Sequence, residues 1–169
     1  MSKWYKLKLQ KFLSLHPRMR LIEYGEEQVV VEGEYDLNAQ MDGYEAIRDI
    51  YKLQIVFPAS YPRSLPKVTE IENRIPRDSD HHTYKDGSFC LGSKIKLKAI
   101  LFEHPSVIDF IEKILNPFLY AVSYKLQYNL YPFGELDHGE EGLVDDYQRL
   151  FNVPDKASVL QVLRALGKR

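Results

Sequence analysis

The chain has 169 residues, enough for one domain with a helical appendage. Hydrophobic residues make up 44% and charged residues 28%, a balance typical of a globular protein with a real core. Lys and Arg number 23 against 24 Asp and Glu, for a net charge of -1, which argues against nucleic acid or an anionic membrane as a partner.

Cysteine occurs once, as Cys90, so the composition excludes an internal disulfide and a multi-cysteine zinc site. This indicates a reducing compartment. No run approaches the roughly 20 apolar residues that a membrane-spanning helix needs. In residues 1–11, lysines are interleaved with apolar residues, unlike the arrangement of a signal peptide. We therefore expect a cytoplasmic protein.

The first predicted element is an amphipathic N-terminal helix, with Ser2 as its N-cap and an end before Pro17. Apolar side chains at helical spacing form a stripe opposite a row of lysines. The stripe consists of Tyr5, Leu9, Phe12 and Leu13, and the lysines are Lys3, Lys6 and Lys11. We expect the stripe to face the core and the lysines to face solvent.

Four strands joined by short loops are predicted next. Residues 18–24 and 28–36 flank the glycine-containing loop 25–27 and are predicted to form a hairpin. In residues 47–57 apolar and polar side chains alternate, which indicates a strand buried on one face. A proline-rich segment then leads to a short strand at 67–71. One helix followed by four such strands predicts an α+β fold with an antiparallel meander beside the helix.

The segment 73–98 is polar and has no clear hydrophobic period, so we expect a long surface loop. Helices resume beyond it. Ser106 with Asp109 resembles a capping pair at the start of an apolar helix. Pro117 is expected to end or kink this helix, and residues 118–126 are predicted to continue as another.

A turn-rich connection over residues 132–142 is followed by two predicted helices, at residues 143–150 and 159–166. No internal repeat, low-complexity tract or long linker divides the chain. We therefore predict a single domain over residues 1–169, with a core over about residues 1–125 and a helical C-terminal extension over about residues 126–169.

Two segments carry chemical information. They are Phe57-Pro58-Ala59-Ser60-Tyr61-Pro62-Arg63-Ser64-Leu65-Pro66-Lys67-Val68 and Gly87-Ser88-Phe89-Cys90-Leu91. Together they resemble the ubiquitin-conjugating enzyme (UBC) family, whose members carry such a proline segment on the edge of the meander and a glycine-x-x-cysteine-leucine active-site motif. The resemblance covers about residues 1–125, and its specific part is 57–91. It implies a UBC-like fold: an N-terminal helix, a four-stranded antiparallel meander, an active-site loop and C-terminal helices.

The last third of the chain resembles bacterial members of this family. The resemblance rests on Tyr131-Pro132-Phe133-Gly134-Glu135-Leu136-Asp137-His138-Gly139. Some of those members are encoded in antiphage operons of the CBASS type or in ubiquitin-like conjugation operons, which implies a role in antiphage defence. Asp137 and His138 within this stretch receive no assigned role.

Cys90 is the catalytic residue that the resemblance implies. It would take the C-terminal carboxylate of a ubiquitin-like modifier from an activating enzyme as a thioester, and pass the acyl group to a lysine amine of a target protein. A nucleotidyltransferase with a similar tail is another candidate for the modifier. The lysines of the surrounding loop, Lys85, Lys94 and Lys96, would favour a thiolate. We expect Cys90 to be partly exposed at the rim of a shallow groove, and we expect no metal or nucleotide cofactor in this chain.

His82 and His81 are the candidate partners of Cys90. The family asparagine stands eight residues before the cysteine, where this chain has His82, and Asp80-His81-His82 replaces the family's histidine-proline-asparagine. A histidine N–H could donate to the oxyanion formed during acyl transfer, as the asparagine amide does, and a histidine could also accept a proton. Gly92 replaces a frequent aspartate and the usual tryptophan after the cysteine is missing, which alters the site for the acceptor lysine.

Other interpretations fit the same residues. A single cysteine is often a buried small hydrophobe, and the two histidines could be solvated loop residues. A zinc site from His81, His82, Cys90 and His104 is conceivable but fits no standard template. The alternative functions are a catalytically silent UBC-fold binding module and a cysteine protease that pairs Cys90 with a histidine.

Overall fold

A computed structural model describes residues 3–132, 147–148 and 152–166 of the chain. It is an α+β structure with a four-stranded antiparallel sheet and helices, as predicted. Within the described ranges no helix is both long and apolar enough to cross a membrane.

The N-terminal segment forms two short helices, α1 (Lys3–Lys6) and α2 (Leu9–Leu15), rather than one. Lys8 between them has a left-handed backbone with φ 60°, which changes the direction of the chain. The buried side chains are Trp4, Leu7, Leu9 and Phe12. Tyr5 is 56% exposed, so the prediction of one continuous helix with Tyr5 in its buried stripe is wrong. The three lysines are exposed as predicted, and the N-cap candidate Ser2 lies outside the described residues.

The sheet has the strand order of the chain, and this confirms the predicted meander. Its strands are β1 (Met19–Tyr24), β2 (Gln28–Ala39), β3 (Ile47–Pro58) and β4 (Lys67–Glu70). Alternate side chains of β3 are buried, because one face of the sheet packs on the core. In β2 the same alternation is interrupted at Val30, which is buried together with its neighbours Val29 and Val31. Between β3 and β4 the proline-rich segment crosses the edge of the sheet, with Tyr61 fully buried and the Tyr61–Pro62 peptide bond in the cis form.

Helix α5 (Asn116–Tyr128) packs on the two central strands of the sheet. Before it in the chain come α3 (Lys94–Glu103), α4 (Val107–Phe110) and a π-helical turn (Ile111–Leu115). Ser106 and Asp109 form the predicted capping box at the start of α4. The helix does not end at Pro117, because the wider π-helical turn directly before it accommodates a residue that has no N–H and a bulky ring.

Buried tyrosine hydroxyls fix the helices against the sheet. Tyr35 donates to Asn116 Oδ1 at 2.5 Å, Tyr51 lies 2.6 Å from Ser123 Oγ, and Tyr61 donates to the Ser106 carbonyl at 2.9 Å. Each of these contacts joins residues at least 45 positions apart, so they set the position of the helical layer over the sheet.

The predicted C-terminal helix is confirmed as α6 (Lys156–Leu166), with Val159 buried. Tyr147 and Gln148 are helical, in agreement with the helix predicted over residues 143–150, most of which lies outside the described residues. Asp137 and His138 also lie outside the described residues.

Candidate active site

The polar segment around Cys90 contains regular structure that its sequence did not predict. Thr83 pairs with Phe89, and Tyr84 N–H donates to the Ser88 carbonyl at 2.8 Å. Residues 82–90, which we call the Cys90 hairpin, therefore form two short antiparallel arms. Phe89 N–H donates to the Val68 carbonyl at 2.9 Å, so the second arm extends the sheet beyond β4. The prediction of one irregular loop over residues 73–98 is wrong, and α3 already begins at residue 94.

The tip of the Cys90 hairpin depends on Gly87 and Asp86. Gly87 has φ +81°, and a Cβ atom there would lie 2.9 Å from the Glu70 carbonyl oxygen, so the predicted tight turn needs glycine. The Asp86 carboxylate is 2.8 Å from Lys67 Nζ and accepts hydrogen bonds from Ser88 N–H and Oγ at 3.0 and 2.6 Å. These partners hold the pKa of Asp86 well below its usual range, and Lys67 makes the largest contribution.

One face of the hairpin anchors it and the other carries the candidate residues. Thr83 and Phe89 are buried, and the Phe89 ring lies 4.7 Å from that of Phe118 on α5. The register places His82 opposite Cys90, with Cys90 N–H donating to the His82 carbonyl at 2.7 Å. Cys90 is half-buried, which confirms its predicted partial exposure. Leu91 packs against the core directly beyond it, as expected.

Tyr84 is a contact of Cys90 that the sequence did not reveal. It lies diagonally across the hairpin from Cys90, within reach of an aromatic side chain. Its phenol lies close to the Cys90 side chain, and mainly for this reason the pKa of Tyr84 lies above its ordinary value. The side chain is 57% exposed, so the pair is open to a ligand. Only the pairing of Thr83 with Phe89 could have indicated this contact.

The two candidate histidines have different surroundings. His82 has a left-handed backbone with φ 51°, and the edge of its half-buried ring lies against Tyr131 at a centroid distance of 5.4 Å. His81 Nδ1 lies 2.7 Å from Asp78 Oδ1, and the His81 backbone N–H donates to the same oxygen at 2.9 Å. The His81 side chain lowers the pKa of Asp78. The structure thus joins His82 to Cys90 through the backbone and joins the His81 ring to Asp78.

A cluster of three residues lies on the other side of His82. Lys125, on α5, is only 9% exposed, and its Nζ is 3.3 Å from Asp80 Oδ1 and 5.3 Å from the centre of the Tyr131 ring. The Tyr131 hydroxyl donates to the Asp80 carbonyl at 2.6 Å. No local sequence pattern indicates this cluster, because Asp80 is separated from Tyr131 by 51 positions along the chain and from Lys125 by almost as many.

The lysines expected to favour a thiolate are all exposed. Lys94 and Lys96 lie in the first turn of α3, whose N-cap Ser93 is three residues beyond Cys90. Their influence on Cys90 stays a prediction.

Metal-binding geometry is not found at the candidate residues. In the described part of the chain, no three His, Cys, Asp or Glu side chains converge as metal ligands would, and this covers His81, His82, Cys90 and His104. The geometry therefore gives the zinc alternative no support.

Comparison of the chain with models of known protein families, with curated proteins and with solved structures gave no match.

Proposed function

We propose that the protein is a UBC-like acyl carrier. Cys90 accepts the C-terminus of a ubiquitin-like modifier, or of another protein with a similar tail, as a thioester and transfers it to a lysine amine of a target. The observation that supports this most is the Cys90 hairpin, where a half-buried thiol lies opposite His82 and diagonally across from Tyr84. The order of helix, antiparallel meander, cysteine segment and long helix agrees with a UBC-like fold.

The chemistry needs one thiol and one oxyanion donor. The Cys90 thiolate attacks the carboxyl carbon held on the activating enzyme, a new C–S bond forms, and the enzyme's leaving group departs. A lysine amine of the target then attacks the same carbon. The oxyanion of the tetrahedral intermediate accepts a hydrogen bond from the His82 imidazole. Collapse breaks the C–S bond, regenerates the Cys90 thiolate and leaves an amide, while the amine loses its proton to solvent.

The partners follow from this chemistry and from the resemblance to bacterial family members. They are an activating enzyme, a modifier or a tailed protein such as a nucleotidyltransferase, and a lysine-bearing target, in the cytoplasm and in antiphage defence. A carrier of this kind works without a metal or nucleotide of its own. His81, whose ring contacts Asp78, acts in this proposal by fixing the turn that leads to His82.

A second candidate function is a catalytically silent binding module of the same fold. The observation that favours it is His82 at the position of the family asparagine, with a ring in contact with Tyr131. In such a module Cys90 would never carry an acyl group.

Cys90→Ser separates the two functions. With an activating enzyme and modifier from the same operon type, the wild-type protein should form an adduct that dithiothreitol cleaves. Serine preserves the size of the side chain but is a far weaker nucleophile, so the variant should give a dithiothreitol-resistant oxyester or no adduct. Circular dichroism of both proteins controls for folding. A wild-type protein that forms no dithiothreitol-sensitive adduct with any such partner would favour the binding module.

His82→Ala tests the oxyanion donor. The thioester should still form, but its discharge to free lysine should slow by on the order of 10² to 10³. Equal discharge rates with and without the imidazole would make His82 a structural residue of the hairpin.

A further inference from the structure

The end of α5 crosses the turn that precedes His82. Lys125 is almost completely buried there, although a buried ammonium is costly unless its charge is compensated. Compensation comes from the Asp80 carboxylate at 3.3 Å and from the face of the Tyr131 ring at 5.3 Å. The same lysine would be well solvated on most other positions of a helix surface, so its burial here points to a role in holding this turn.

Tyr131 binds the main chain of the same turn. Its hydroxyl donates to the Asp80 carbonyl at 2.6 Å, so Asp80 is bound through both its side chain and its main chain. Tyr131 can reach the turn because α5 ends at Tyr128. Its C-cap, Asn129, has a left-handed backbone and donates its N–H to the Lys125 carbonyl, which redirects the chain. The Tyr131 ring then lies edge-on to His82.

His82 is the residue on which this arrangement acts. Its φ of 51° is a conformation that a residue other than glycine keeps only when its surroundings enforce it. Its carbonyl accepts the Cys90 N–H at 2.7 Å, so a change in the His82 backbone is transmitted to Cys90. We infer that Lys125 and Tyr131 form a clamp on Asp80 that positions His82 relative to Cys90 for the acyl transfer.

This inference rests on the proposed function for its effect on rate, and on the structure alone for its effect on the hairpin. The two residues touch neither Cys90 nor an acyl group in any contact described above. They are therefore positioning residues, and their effect must pass through His82.

The decisive variants are Lys125→Met, which keeps the length and apolar stem but loses the charge, and Lys125→Arg, which keeps the charge. For the loaded protein, Lys125→Met should lower the rate constant of discharge to free lysine by on the order of 10- to 100-fold. The lysine concentration for half-maximal rate should stay unchanged, and Lys125→Arg should restore most of the rate. Lys113→Met, at an exposed position of the π-helical turn, is the matched control.

A double-mutant cycle with His82→Ala identifies the route of the effect. If the clamp acts through His82, Lys125→Met should add little to the loss already caused by His82→Ala. Independent, multiplicative losses would overturn the inference, as would a wild-type discharge rate in Lys125→Met.

Amide hydrogen exchange tests the clamp without any acyl group. The Cys90 amide should exchange on the order of 10-fold faster in Lys125→Met and in Tyr131→Phe than in wild type or Lys113→Met. Unchanged Cys90 protection would overturn the clamp even if the thioester forms. Faster exchange in a protein that never forms the thioester would support the clamp as a structural device and remove only the proposed function.

Discussion

Tyr84 lies diagonally across the hairpin from Cys90, with its phenol close to the thiol. The interaction with Cys90 raises the pKa of the phenol, so Tyr84 stays neutral and its O–H remains available as a donor at neutral pH. The phenol and the thiol therefore form a pair, and a change in the Cys90 side chain should be measurable on Tyr84.

Cys90→Ala should lower the pKa of Tyr84 toward its ordinary value, because the neighbouring Cys90 side chain is the largest cause of the upward shift. Part of the shift comes from burial of the phenol and should remain. The measurement is a pH titration of the Tyr84 ring signals by NMR in wild type and Cys90→Ala, with the signals of the exposed Tyr5 as a control for changes elsewhere. An unchanged Tyr84 pKa in Cys90→Ala would contradict the pairing of the two side chains.

Residues adjacent in the chain could be assigned from the sequence, and residues joined by folding could not. Gly87 stands three residues before Cys90 and Leu91 directly after it, and their predicted roles in the turn and in the core are confirmed. Tyr84 depends on the hairpin register, and Lys125 reaches Asp80 only because α5 packs across the turn. No local sequence pattern predicts such a contact, because the contact depends on how distant parts of the chain fold together.

Among the elements, the N-terminal helices present a basic surface. Lys6 and Lys11 are exposed. Lys3 differs, because its ammonium donates to the Ala59 carbonyl, and its pKa is lowered by burial and by nearby Arg63. Charge reversal at Lys3 would therefore also disturb its contact with the proline-rich segment.

The proposed UBC-like function implies that the N-terminal helix helps to contact the activating enzyme, as the corresponding helix does in that family. Reversal of Lys6 and Lys11 to Glu should therefore slow the loading of Cys90 by the activating enzyme without changing the unfolding temperature. Complementary charges speed the encounter of two proteins, so the effect should shrink as salt is added. Loading rates at low and at high ionic strength measure this, and Lys156→Glu on α6 serves as a control. A loading rate that does not respond to the reversal would mean that these lysines are simply solvated.

Elements with a sustained hydrophobic period could be predicted from the sequence. Irregularities of the backbone within or between helices could not. The alternation in β3 and the capping pair of Ser106 with Asp109 identified their elements correctly. The left-handed Lys8 divides what the sequence presents as one helix. Pro117 predicts an end or a kink, and the structure shows neither an end nor a regular α-helix but a π-helical turn directly before the proline.

At the scale of the whole molecule, buried phenols connect the sheet with the long helix. Tyr35 and Tyr51 are paired in the register of β2 and β3, and their hydroxyls contact Asn116 and Ser123 on α5. Burial raises the pKa of both phenols, because a phenolate would lose its hydration in the core. The folded protein thus keeps them protonated at a pH where tyrosines of the unfolded chain ionise.

This predicts a loss of stability in alkali that Tyr51→Phe should reduce. Because the pKa of Tyr51 is raised on folding, its contribution to stability is complete below the unfolded value of about 10 and is lost as the pH rises toward the folded value. Each phenol of this kind steepens the fall in the free energy of unfolding by about 1.4 kcal/mol per pH unit above about pH 10.

Urea unfolding of wild type and Tyr51→Phe between about pH 7 and pH 11 measures the difference. Near pH 7 the variant should be less stable by about 1 kcal/mol, because the contact with Ser123 is lost. Above about pH 10 the gap should close, since the variant has one fewer phenol that the fold must keep protonated. Tyr5→Phe, at an exposed position, should follow the wild-type curve throughout. Parallel alkaline slopes for wild type and Tyr51→Phe would show that the core phenols do not govern this limb of the stability curve.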